Sequence, residues 1–177
     1  MKRSLMLALA LVAVSVAPAF AALQTGTTAP DFKLQASMGG KVFPFSLADA
    51  LKRGPVVVYF YPAAFTTGCT IEAHDFAAAM DQYKALHATV IGVSHDDIAK
   101  LQKFSVSDCR SKFPVAADTD QSVAKSYDAV LTSKYDNRTS YVIAPNGKVI
   151  YAYTNMEPDQ HVANTLKAIK DWEAKGH

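Results

Sequence analysis

The sequence predicts an α/β domain: a mixed central sheet flanked by helices, with a hairpin at its front. Three observations carry this. Val56-Val57-Val58-Tyr59-Phe60-Tyr61 is an apolar run without alternation, the pattern of a strand buried on both faces. A helical stripe of Phe76, Met80 and Tyr83 follows, and then a second apolar run at 89–93, which together make a βαβ unit and hence a parallel pair. Later, Pro145-Asn146-Gly147 joins two further strand patterns as a hairpin, adding antiparallel strands to the sheet.

The chain start is a separate matter. Lys2 and Arg3 precede an apolar run over 5–16 interrupted by Ser15 alone, and Ala19-Phe20-Ala21 offers a small-residue cleavage site. This is the pattern of a secretory signal peptide, too short for a stable span and followed by no stop-transfer pattern; a membrane anchor is the weaker reading. One domain is therefore expected over residues 22–177, exported to the periplasm and free of the membrane after cleavage. Of 18 basic and 16 acidic residues, the two basic ones at the start would leave with the signal, so the mature chain is near neutral. No basic surface remains to argue for nucleic acid or anionic lipid.

The remaining elements follow in order. Met38-Gly39-Gly40 sits at the tip of the front hairpin, and Ser46 is a plausible N-cap for a short helix over 47–52 that Gly54-Pro55 ends. Asp96 or Asp97 caps a helix running through Ile98, Leu101 and Phe104 toward Cys109. Phe113-Pro114-Val115 restarts extended chain, and 122–127 reads as a brief helix. Strands at 139–144 and 148–153 lead to a closing helix with Val162, Leu166, Ile169 and Trp172 as its core face. The order of strands and helices is the thioredoxin-like layout with an extra N-terminal hairpin.

Two cysteines, Cys69 and Cys109, remain in a chain read as exported to an oxidising compartment. Their spacing is not C-x-x-C, which counts against a disulfide exchanger and a four-thiolate zinc site. Cys69 falls where a strand's C-terminal end meets a helix N-terminus, so unpaired N–H groups and the helix dipole favour its thiolate. On that position alone, a reactive thiol and a small buried hydrophobe both stay open.

The neighbouring residues narrow the choice. Pro62-x-x-x-Thr66-x-x-Cys69 resembles the P-x-x-x-[T/S]-x-x-C motif of the peroxiredoxins. Ala29-Pro30-Asp31-Phe32 is similar to their N-terminal segment, and Tyr59-Phe60-Tyr61-Pro62 with Gly68-Cys69-Thr70-x-Glu72-Ala73 to the bacterioferritin-comigratory, or Q-type, branch. Arg138-Thr139-Ser140-Tyr141-Val142-Ile143 resembles the segment carrying the family arginine. The likeness covers 29–172.

That resemblance implies an activity: reduction of hydrogen peroxide and organic hydroperoxides by sulfur alone, with no cofactor and no metal. It makes Cys69 the peroxidatic nucleophile, which becomes a sulfenic acid. Arg138 would supply a permanent positive charge beside it, Thr66 a hydroxyl for the peroxide, and Pro62 a wall against water. Glu72, in the first helical turn, is assigned orientation rather than chemistry, as a capping-box-like group.

Many Q-type members carry a resolving cysteine five residues after the peroxidatic one, where this chain has His74. Others resolve from the end of the next helix, and Cys109 falls in that region, so the resemblance implies a reversible Cys69–Cys109 disulfide. Recycling would need a thioredoxin-like or other dithiol reductant, with the protein a monomer or weak homodimer. His74 reads as a surface histidine. A periplasmic copper-handling protein on the same fold, using Cys69, His74 and Cys109 as soft ligands, is the alternative.

Overall fold

The computed structural model describes residues 22–176; the segment read as a signal peptide, 1–21, lies outside them. The chain begins with the expected hairpin, β1 (Lys33–Met38) and β2 (Lys41–Ser46), then the short helix α1 (Leu47–Leu51). The Ser46 hydroxyl caps α1 by accepting from the Asp49 N–H. The βαβ unit is β3 (Val56–Phe60), α2 (Thr67–Ala85) and β4 (Thr89–Ser94), followed by α3 (Ile98–Ser107), β5 (Val115–Ala117) and α4 (Ser122–Ser126). Then come β6 (Val130–Thr132), β7 (Tyr135–Asp136), β8 (Thr139–Ile143), β9 (Val149–Thr154) and α5 (His161–Glu173).

Seven strands form one sheet in the order β2-β1-β5-β4-β3-β8-β9. β3, β4 and β5 run parallel to one another, while β8, β9 and the front hairpin join antiparallel, so the sheet is mixed as expected. All five residues of β3 are buried, and their side chains divide between two cores. Val57, Tyr59 and Tyr61 pack under α2, α3 and α5 with Phe76, Leu101, Phe104 and Ile169. Val56, Val58 and Phe60 pack on the opposite face with Leu47, Val123, Ala124 and Tyr127. Two-sided burial is why this strand lacks alternation.

Tyr59 lies flat against β4, where Gly92 leaves the space: a Cβ there would come within 2.7 Å of the phenol ring. Phe76 stacks on the other side of Tyr59 at 4.4 Å between centroids. Truncating Phe76 to alanine would cost about 3–5 kcal/mol.

Several details differ from expectation. β3 ends at Phe60; Tyr61 instead donates its N–H to the Val93 carbonyl at 3.1 Å as the chain leaves the sheet. The two-stranded β6–β7 unit was not foreseen, because strands of three and two residues carry no readable period. In α5, Trp172 is only half-buried, and the core face contains His161 and Thr165, both fully buried. Thr165 reaches the hydroxyl of Tyr83 at 2.7 Å, so polar side chains there satisfy one another.

Candidate active site

The site forms where the loop after β3 meets the first turn of α2. Pro62, half-buried, turns the chain out of the sheet, and Phe65 takes a left-handed conformation at φ 68° before the helix starts. The Ala64 N–H in this loop donates to the Asp96 carboxylate at 2.7 Å. The same carboxylate accepts from the Ser94 hydroxyl at 3.0 Å and the Lys100 ammonium at 2.6 Å. Of the two aspartates read as alternative caps of α3, Asp97 caps, accepting from the Lys100 N–H, and Asp96 pins the loop. Only one residue can occupy a cap position, which releases the other.

α2 begins at Thr67, so Cys69 is its third residue rather than its opening one. Thr66 is the N-cap by backbone geometry, but its hydroxyl makes no cap bond; it donates to the Ala63 carbonyl at 2.9 Å and keeps its acceptor lone pairs. Cys69 itself is 2% exposed.

Arg138 lies just ahead of β8, the strand paired with β3, and completes the site from beside it. Its Nη2 donates to the Cys69 Sγ at 3.5 Å, its Nη1 engages the Glu72 carboxylate, and its Nε donates to the Met156 carbonyl at 2.8 Å. Burial works against the guanidinium charge, but Glu72 and the Cys69 sulfur outweigh it and raise the Arg138 pKa. Gly68 leaves room for this approach, since a Cβ there would lie 2.9 Å from Nη2.

Glu72 is 0% exposed, and the capping-box expectation fails for it: the side chain turns inward to Arg138 instead of back to the helix start. Burial pushes its carboxyl up to about 8, with Arg138 pulling the other way.

Cys109 is fully buried just beyond α3, in the same core cluster as Cys69, and both thiols are free. Burial, with Asp108 adding, holds the Cys109 thiol well above the ordinary range. Two residues link the two cysteine-bearing segments: the Thr70 hydroxyl donates to the Asp108 carboxylate at 2.6 Å. His74 is half-buried on α2, and among the described residues no three His, Cys, Asp or Glu side chains gather as a metal would need. The copper-handling alternative, which required Cys69, His74 and Cys109 together, therefore gains no support.

Of the residues named from sequence, Cys69, Glu72 and Arg138 come together, Pro62 and Thr66 lie in the loop before α2, and Cys109 lies buried beyond α3. The sequence did not show the loop-pinning role of Asp96, the Thr70–Asp108 link, or the buried pair Ser140 and His161 behind Glu72. The doubled aspartate was the only signal for Asp96; nothing local distinguishes His161 from a surface histidine.

Comparison with known proteins gives the class. Residues 25–152 match the AhpC/TSA family. A putative chloroplastic peroxiredoxin Q of Oryza sativa subsp. indica is 37% identical over 148 residues, covering 82% of this chain and 66% of that protein. A putative peroxiredoxin bcp of Helicobacter pylori is 34% identical over 154 residues, covering 83% of this chain and 98% of that protein. Among solved structures, the peroxidoxin BcpB of Mycobacterium tuberculosis superposes with a TM-score of 0.76 at 31% identity, covering 84% of this chain and 97% of its own. The chain belongs to the AhpC/TSA family, on its peroxiredoxin Q/bcp branch. Its thioredoxin-like fold and buried thiol beside an arginine are those of a thiol-dependent peroxidase.

Proposed function

We propose that Cys69 is the peroxidatic nucleophile of an enzyme that reduces hydrogen peroxide and organic hydroperoxides. One observation carries the assignment: the Arg138 guanidinium lies 3.5 Å from the Cys69 sulfur in the first turn of α2. The guanidinium and the helix N-terminus both favour a thiolate at that position. The thiolate attacks one peroxide oxygen and the O–O bond breaks. Cys69 becomes a sulfenic acid, and the other oxygen leaves as water or alcohol after taking a proton. Arg138 stabilises the negative charge that develops on the oxygens. Thr66 offers its lone pairs to the peroxide proton, Pro62 shields the pocket, and Glu72 orients Arg138.

Resolution falls to Cys109. Its thiol attacks the sulfenic sulfur, a Cys69–Cys109 disulfide forms and water leaves. Both thiols are buried, so the first turn of α2 and the end of α3 unwind locally to meet. A thioredoxin-like or other dithiol reductant then returns both thiols.

Residues 1–21 act as a signal peptide and the enzyme works in the periplasm as a monomer or weak homodimer. The charged start, apolar run and A-x-A site support this reading. N-terminal sequencing of protein from the periplasmic fraction should begin at Ala22; an intact Met1 on the functional protein would refute export.

Mass analysis of peroxide-treated, thiol-blocked protein tests resolution. A bridged Cys69–Cys109 peptide is expected. An unbridged Cys109 peptide beside oxidised Cys69 would leave a one-cysteine enzyme reset from outside.

A further inference from the structure

Behind the Cys69–Arg138 contact lies a second, fully buried contact that the peroxidase chemistry above does not use. Arg138 holds one oxygen of Glu72, and the other, Oε1, has no hydrogen-bond donor among the described residues. That oxygen faces His161 Nδ1 at 3.6 Å, and both side chains are 0% exposed. The tautomer of His161 follows from its other contacts. Nε2 lies 2.9 Å from the Asn155 carbonyl oxygen, which can only accept, so Nε2 carries the hydrogen. Nδ1 of the neutral ring then presents a lone pair, to which the Ser140 hydroxyl donates at 2.8 Å. Out of water, a carboxylate oxygen thus faces a ring nitrogen that has no hydrogen to offer it, an arrangement that a proton on either relieves.

Charge balance ties this pair to the thiol. Arg138 is one permanent cation, and it touches two acids, Cys69 and Glu72. An unpaired buried charge is costly, so one cation supports one anion in this space. A thiolate at Cys69 therefore goes with neutral Glu72, and a carboxylate at Glu72 goes with a neutral thiol. The exchange is Cys69–SH + Glu72–COO⁻ ⇌ Cys69–S⁻ + Glu72–COOH; one proton relocates and no electron moves.

We propose that His161 is a positioning residue that keeps the proton on Glu72 and so leaves the Arg138 charge to the Cys69 thiolate. The titration balance agrees. Burial pushes Glu72 up to about 8, whereas burial lowers His161 to about 4, with Asn155 opposing and Arg138 reinforcing. At neutral pH the proton of the pair sits on the carboxyl. The groups facing it are Arg138 and Ser140 at the start of β8, Tyr153 from β9 at 4.8 Å between ring centroids, and Asp75 on α2. None of them supplies a second cation to replace Arg138.

The proposal rests on Cys69 as the peroxidatic thiol, but its test does not require turnover. Iodoacetamide alkylation of Cys69 is followed against pH in the full protein by mass spectrometry of the Cys69 peptide. His161→Phe removes the Nδ1 lone pair, lets Glu72 ionise and should raise the alkylation midpoint by about one pH unit, a roughly tenfold loss of thiolate below it. Glu72→Gln, which cannot ionise, should not raise the midpoint, and Glu72→Gln with His161→Phe should match Glu72→Gln alone. Ser140→Ala, a small change that frees Nδ1 for the Glu72 proton, should lower the midpoint and serves if His161→Phe does not fold. The proposal is overturned if His161→Phe leaves the midpoint in place, if its shift persists in the double variant, or if Ser140→Ala does not lower it. Failure of peroxide consumption with these shifts intact would instead count against the proposed function.

Discussion

The Thr70 hydroxyl, one residue after Cys69, donates to the carboxylate of Asp108, one residue before Cys109, at 2.6 Å. The Ser107 hydroxyl holds the other carboxylate oxygen at 2.5 Å, so Asp108 is fixed from two sides. This bond ties together the two segments that the proposed Cys69–Cys109 resolution separates from their helices. Hydrogen bonds to charged groups are worth about 1.5–3 kcal/mol.

Thr70→Val keeps the shape and deletes the donor. Local opening should become about tenfold more frequent. Stopped-flow fluorescence should show faster disulfide formation after peroxide, and mass spectrometry should show less sulfinic acid at Cys69 under excess peroxide. An unchanged rate would mean that the bond does not gate resolution.

Gly68 is demanded by Arg138 rather than by a turn. Gly68→Ala puts a methyl 2.9 Å from Nη2, and the guanidinium, as the end of a flexible side chain, gives way. The fold should survive with stability changed by less than about 1 kcal/mol, since alanine suits a helix better than glycine. The rate constant for peroxide should fall by about tenfold or more as the cation leaves the sulfur. Equal loss of rate and of stability would point to a packing fault instead.

Asp136 adds a pH dependence away from the site. It is 0% exposed, its Oδ1 accepts from Gln121 at 2.9 Å, and its Oδ2 has no hydrogen-bond partner among the described residues. Burial pushes its carboxyl up to about 7, with Gln121 opposing and Asp118 and Asp96 adding. The folded value lies above the unfolded one, so the folded state binds the extra proton between them. Its stabilising contribution is present below about 4 and is lost as pH rises to about 7. Urea unfolding at intervals across that window should show wild type losing on the order of 4 kcal/mol relative to Asp136→Asn. Parallel curves for the two proteins would contradict this.

The architecture was legible because its main elements announce themselves locally. β3 is apolar without a period, α2 carries Phe76, Met80 and Tyr83 at helical spacing, and Ser46 and Asp97 cap as their positions suggest. Cys69, Thr66, Pro62 and Arg138 were legible because their pattern resembles a family motif. What stayed hidden depends on contacts far apart in sequence. Glu72 and His161 meet only because α2 and α5 cover the same face of the sheet, and no spacing rule links them. Asp96 and Asp97 are equivalent as letters; the loop amide of Ala64 decides between them. Trp172 satisfies the helical stripe, yet it sits in the last turn of α5 and stays half-exposed.

We assign the reaction with peroxide to the Cys69 sulfur, held beside Arg138. The direct test is peroxide consumption by purified protein with a dithiol reductant, compared between wild type and Cys69→Ser. Wild type should consume hydrogen peroxide through many turnovers and Cys69→Ser none above the reductant alone. Equal consumption by the two proteins, or none by wild type, would contradict the account.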